Sequence, residues 1–218
     1  MTLENYLPIW DELTKEQQDM ITSQSMQKRL EKGTRLLSND KECHGFLIVE
    51  TGQLRAYITS PEGREITIYR LFDRDICLFS ASCMMKNIQF EVSITAEQDT
   101  QVWVIPAPVY QSIMNSSLAV TRFTNELMAS RFTDVMWVME QVLWNSMDKR
   151  LATFLLEEST IEETDTLHMT HEQIASHLGS AREVVTRLLK SLQEEGMVRL
   201  SRGIIQILDY EKLRSLAD

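Results

Sequence analysis

Cysteine is scarce in this chain. Cys43, Cys77 and Cys83 are the only three, and none forms a Cys-x-x-Cys pair. An odd, scattered set supplies neither a disulfide framework nor a structural zinc site. No apolar run is long enough to cross a bilayer. The segment MTLENYLPIWDELTKEQQ lacks the basic stretch and apolar run of a secretory leader. These absences predict a cytoplasmic chain with no membrane partner. Basic charge is in deficit, with 22 Lys+Arg against 32 Asp+Glu and a net charge of −10. That deficit argues against a histone-like protein held to nucleic acid by bulk charge, but it permits a local basic patch.

What is present divides along the chain. Residues 8–25 place Ile9, Trp10, Leu13, Met20 and Ile21 roughly on one helical face. Thr14 with Gln17 has capping-box spacing, so the helix is expected to restart there. From about residue 27 the pattern changes to short runs such as HGFLIVE, GQLRAYIT, FEVSITA and QVWVIP, separated by turn signals. Such runs predict an antiparallel sandwich or barrel. YITSPEGREITIY reads as a hairpin around Pro61-Glu62-Gly63.

Pro106 and Pro108 close the β region, and no Gly or Pro follows between Val109 and Glu158. Within that stretch Met128, Phe132, Val135, Met139 and Val142 alternate spacings of four and three. The period is that of a coiled-coil seam and predicts a parallel dimer helix. The alternative is one amphipathic helix packed on its own β domain. Trp137 and Trp144 lie off the seam and are expected to pack against neighbouring domains.

After residue 146 come a helix (MDKRLATFLLEES), an acidic loop (IEETDT) and a short helix capped by Thr170 with Gln173. A second helix follows, ending at Gly196, and then two short strands flank Arg202-Gly203. That order is a winged helix-turn-helix. On the second helix Val185, Leu188, Leu189 and Leu192 share one side, and Arg182, Glu183, Thr186 and Arg187 share the other. Such a helix suits the major groove, where Arg grips guanine O6 and N7 and Glu accepts from cytosine N4. Two plainer readings stand beside this one. Ser180-x-x-Glu183 is also a capping-box spacing, and Arg182, Arg187 and Lys190 would also suit a solvated face.

Ile174-Ala175-x-x-Leu178-Gly179 and Arg182-Glu183-x-x-x-Arg187-Leu188-Leu189 resemble the C-terminal domain of the CRP/FNR-type bacterial transcription regulators. The resemblance extends over the whole chain. It implies an α+β fold with an effector-sensing β-roll, cupin-like and of the cyclic-nucleotide-binding type, over 1–110. A dimerisation helix over 111–146 and a winged helix-turn-helix DNA-binding domain over 147–218 complete it. It also implies double-stranded DNA, a second copy of the chain and RNA polymerase as partners. The family's reading triad falls on Arg182, Glu183 and Arg187. Thr170 and His171 fall on contacts to the DNA backbone, and Thr186 and Arg202 join them as candidates. Ala181 and Val184 depart from the hydroxyl-bearing residues of the cyclic AMP receptor, which puts two backbone contacts in doubt.

The same resemblance directs attention to the sensor. The family's cyclic-nucleotide site uses a Gly-Glu pair and an Arg-Ser pair, which here align with Leu78-Phe79 and Phe90-Glu91. A glutamate in place of the phosphate-binding arginine is repulsive, so cyclic AMP is not the expected signal. An apolar effector pocket over Leu78, Phe79, Cys83, Met84, Met85, Phe90 and Glu91 is one candidate site for a small molecule. A thiol switch at Cys77 and Cys83 is the second, against the plainer reading of buried apolar cysteines. An iron–sulfur cluster lacks its ligands. His168-x-x-His171 lacks the further ligands of a metal site, so no metal is expected and the cofactor is left unknown. A β-roll enzyme would need several His with a carboxylate, and His44 is the only histidine of the β region. A scaffold module binding protein through its winged helix is the remaining alternative. The expected function is a sequence-specific regulator rather than an enzyme.

Overall fold

The computed structural model describes residues 2–37, 45–78 and 92–218. Two compact units emerge, residues 1–58 with 68–135, and residues 59–67 with 136–218.

The first unit is built on strands. Two 3-10 turns, Leu3–Asn5 and Trp10–Glu12, precede helix α1 (Lys15–Gln24). Thr14 and Gln17 cap α1 with the reciprocal bonds of a capping box, so the helix does start anew there. Among the described residues eight strands follow. They are β1 (Met26–Leu30), β2 (Arg35–Leu37), β3 (Phe46–Thr51), β4 (Leu54–Thr59), β5 (Glu65–Leu71), β6 (Ile76–Cys77), β7 (Ser93–Ala96) and β8 (Thr100–Ile105). They form two four-stranded sheets, in the orders β1-β8-β3-β6 and β2-β7-β4-β5.

Strand β3 explains the layers. Its alternate residues Leu47 and Val49 enter a core with Leu36, Leu54, Ala56 and Ile94 of the other sheet. Phe46 and Ile48 point the opposite way, into a core with Ile21, Val109, Tyr110 and Ile113. A strand buried on both faces reads as a continuous apolar run, and HGFLIVE is that run. Phe46 stacks on Tyr110 with ring centroids 4.0 Å apart. Gly45 enters β3 at φ +85, and a Cβ there would lie 2.4 Å from the Ile105 carbonyl oxygen. The position therefore admits only glycine without movement of β8.

Helices α2 (Ala107–Ser116) and α3 (Leu118–Trp144) come next. The expectation of one helix over 111–146 is interrupted at Ser117, whose backbone is extended. Local hydroxyls supply the reason. Ser116 Oγ donates to the Ser112 and Ile113 carbonyls, Thr121 Oγ1 donates to Met114 O, and Ser117 Oγ accepts from the Val120 amide. Such bonds compete with the helical ladder. The first half of α3 buries Val120 and Thr124, and the Thr124 hydroxyl bonds that of Tyr110 at 2.7 Å.

The second unit is mainly helical. It comprises the end of α3, α4 (Met147–Ile161), β9 (Thr166–Leu167), α5 (His171–Leu178), α6 (Arg182–Glu194), β10 (Val198–Ser201), β11 (Ile204–Ile207) and α7 (Tyr210–Ala217). Its core joins Leu151 and Leu155 of α4, Ile174 of α5, Val185 and Leu189 of α6, and Ile205 of β11. The sheet runs β10-β11-β9. Residues 59–67, the tip of the β4–β5 hairpin, also belong here. Ile66 bridges Leu178, and Thr67 Oγ1 lies 2.9 Å from His177 Nδ1.

Candidate nucleic-acid interface

Thr170 caps α5 through Gln173, with the capping-box bonds in both directions. Gly179 ends the helix in the left-handed region at φ 67, a common helix-stop geometry. Three residues later α6 begins at Arg182. Arg150 Nη2 of α4 donates to the Leu178 carbonyl at 2.6 Å, so the turn between the helices is anchored from below.

Helix α6 is strongly two-sided. Val185, Leu189 and Leu192 are buried, and Leu188 packs half-buried against the same core. Arg182, Glu183, Arg187 and Lys190 are exposed, while Thr186 is half-buried. The cap of α6 is Ala181, which has no side-chain capping bond. The Ser180–Glu183 capping box therefore does not form, because the cap falls one residue beyond Ser180, at Ala181. The side chains of Arg182, Glu183 and Arg187 make no hydrogen bond or ion pair among the described residues. Together with Thr186 and Lys190 they line a shallow groove of about 610 Å³ that continues along Ser191 and Glu194.

Thr186 and His171 are joined. His171 Nδ1 lies 2.8 Å from Thr186 Oγ1, which links the first residue of α5 to the middle of α6. Partial burial, aided by the positive charges of Arg182 and Lys190, holds the His171 pKa below the usual histidine value. Arg202 is exposed in the turn between β10 and β11, and Gly203 beside it has φ 71. Gln193 Oε1 accepts from the Leu200 amide at 2.8 Å and so ties this wing to α6.

Lys190, Ser191 and Glu194 complete the groove but were absent from the sequence-predicted site. Their spacing of three or four from Thr186, Arg187 and Lys190 is the signal that places them on the same face.

The seam residues lie partly in each unit. Met128, Phe132, Met139 and Val142 are exposed, Phe132 at 66%. Val135 instead packs against the core between the two sheets of its own chain. Trp137 and Trp144 are exposed in the single chain, Trp144 at 82%. Arg131 lies over the Tyr69 ring at 4.6 Å and pairs with Asp134 at 2.8 Å.

Of the effector-pocket candidates, Leu78 is described and lies fully buried in the core with Phe46 and Ile48. Phe79, Cys83, Met84, Met85, Phe90 and Glu91 lie outside the described residues. Cys77 is buried, and its candidate partner Cys83 is also outside them. A separate apolar groove of about 520 Å³ opens in the first unit, lined by Leu30, Leu36, Leu47, Val102 and Val104. Among the described residues no cluster suits a metal ion, and no helix is long and apolar enough to cross a membrane.

A capped helix, a left-handed turn, an outward-facing charged helix and a tied wing define a winged helix-turn-helix protein. Residues 149–216 match the Crp-like helix-turn-helix domain, and residues 27–117 match the cyclic nucleotide-binding domain. A crystal structure from Eubacterium rectale, assigned to the CRP/FNR family of transcriptional regulators, is 55% identical to this chain. It superposes with a TM-score of 0.94, over 98% of this chain and 99% of its own. The cyclic AMP receptor protein of Thermus thermophilus is 22% identical over 96% of each chain. The transcriptional activator protein anr of Pseudomonas aeruginosa is 26% identical, over 92% of this chain and 85% of its own. The chain belongs to the CRP/FNR family of transcription regulators, and it is a regulator rather than an enzyme.

Proposed function

We propose that the protein acts as a cytoplasmic homodimer that binds a palindromic DNA site. Arg182, Glu183 and Arg187 read bases, while Thr170, His171, Thr186 and Arg202 meet the backbone. The observation that carries this reading is the outward face of α6. Three charged side chains there make no bond among the described residues, on a helix whose other face buries Val185, Leu189 and Leu192. A carboxylate between two guanidiniums is a poor site for phosphate alone, and it suits an edge that offers both acceptors and a donor. Each half-site then holds a guanine for Arg187 and a cytosine for Glu183, with a second guanine for Arg182. Half-sites lie about one helical turn apart.

The exposed row Met128, Phe132, Met139 and Val142 supports pairing with a second copy along α3. RNA polymerase is a further partner of the DNA-bound dimer. The signal acts at the β domain and is not cyclic AMP, because Leu78, Phe79, Phe90 and Glu91 replace the ribose- and phosphate-binding residues.

Selection from randomised duplexes followed by gel-shift titration tests this function. An enriched palindrome bound by a dimer is the expected result. A weak affinity that is equal for all sequences and insensitive to salt would overturn it in favour of a protein-binding module.

A further inference from the structure

Arg182, Thr186 and Lys190 are spaced by four on α6, so they form one stripe along the helix. His171 reaches the middle of that stripe from α5, with Nδ1 2.8 Å from Thr186 Oγ1. A cation thus stands one turn before and one turn after the imidazole. Arg187 and Glu183 lie on the adjoining stripe, and Glu172 follows His171 on α5.

Most threonines along the helices of this chain turn their hydroxyls back to their own backbone. Thr133, Thr153 and Thr160 each donate to the carbonyl four residues earlier. Thr186 instead meets the imidazole, and no such backbone bond competes. A hydroxyl can both donate and accept. It serves a neutral ring by donating to Nδ1, and a charged ring by accepting from Nδ1–H. The contact therefore survives protonation, which leaves Nε2–H available as a donor in both states.

We propose that His171 takes up a proton when DNA binds, so that a proton and a phosphate are joint ligands of the α5–α6 face. This rests on the DNA-binding reading above. In the free protein partial burial and the charges of Arg182 and Lys190 keep the ring neutral near neutral pH. A phosphate row beside the stripe offsets both cations and adds its own attraction for a charged ring. The bound pKa then exceeds the free pKa. The complex holds more protons than its parts throughout the window between the two values, so affinity rises as pH falls through that window. Below the free pKa and above the bound pKa the dependence is flat.

The test measures affinity for the selected palindrome from about pH 8 to about pH 5.5, the range in which histidine titrates. The full-length protein is used, with its melting temperature recorded at each pH. Wild type should gain roughly tenfold per half-site for each unit by which the pKa rises on binding. His171→Gln should bind with a flattened pH profile. His171→Lys, which carries a fixed charge, should bind with an equally flat profile. His168→Gln, three residues away and outside the site, should keep the wild-type slope. A flat wild-type profile, or an unchanged slope in His171→Gln, overturns the proposal while leaving sequence-specific binding intact. Failure of every variant and of wild type to select a sequence at any pH would instead remove the DNA-binding reading itself.

Discussion

Arg187 and Glu183 carry the sharpest claims at the scale of single residues. Arg187→Ala is expected to cost about 1–3 kcal/mol at one base pair and to relax preference there. Repeating the site selection with the variant checks this, and an unchanged preference would end that role. Glu183 was open to two readings in the sequence, since Ser180-x-x-Glu183 also fits a cap. With Ala181 as the cap and the carboxylate unbonded, Glu183→Gln should leave the melting temperature nearly unchanged. It should alter only the base chosen opposite. Gly45 makes a contrasting case. Its φ of +85 and the 2.4 Å approach to Ile105 O predict that Gly45→Ala destabilises the first unit by about 2–3 kcal/mol. Chemical denaturation would measure that loss, and a change below about 0.5 kcal/mol would refute the steric argument.

At the scale of elements, the α3 face gives the next test. Phe132→Glu together with Met139→Glu places charge on the exposed apolar row, where both side chains lie in solvent in the single chain. Light scattering should show a monomer in place of a dimer, with the fold retained. A dimer of undiminished stability would move the interface elsewhere. Elements were legible in the sequence where a local rule and the tertiary environment agreed. The capping boxes of α1 and α5, the β4–β5 hairpin and the buried side of α6 are such places. Three features escaped. The break at Ser117 comes from hydroxyl-to-carbonyl bonds in a stretch free of Gly and Pro. Strand β9 has only two residues and exists through its pairing with β11. Helix α7 is short, and Leu213 fixes it by entering a core assembled from distant segments. No periodicity within seven or eight residues announces that. At the candidate site Arg182, Glu183 and Arg187 were legible from helical spacing, whereas the His171–Thr186 bond joins residues fifteen apart on two helices.

At the scale of the whole molecule, a net charge of −10 must coexist with a DNA-facing surface. Long-range repulsion opposes approach, and the local cations of α6 and the wing overcome it only at short range. Affinity should therefore fall steeply with salt, with a slope near −0.9 for each phosphate neutralised. Two copies of Lys190, Arg202 and protonated His171 contribute to that slope, while Arg182 and Arg187 are assigned to bases. Titration at several salt concentrations checks it, and a slope near zero would refute a phosphate-contacting surface. The division of the chain has a consequence for anyone who dissects the protein. Residues 59–67 cluster with 136–218, so the polypeptide passes between the units three times. A fragment that begins at residue 136 loses Ile66 from its place against Gly179 and the Thr67 hydroxyl from His177. Those losses fall on the turn that sets α5 against α6. The excised piece would thus be an incomplete body with a bared helix-turn-helix corner, rather than a miniature of the DNA-binding half.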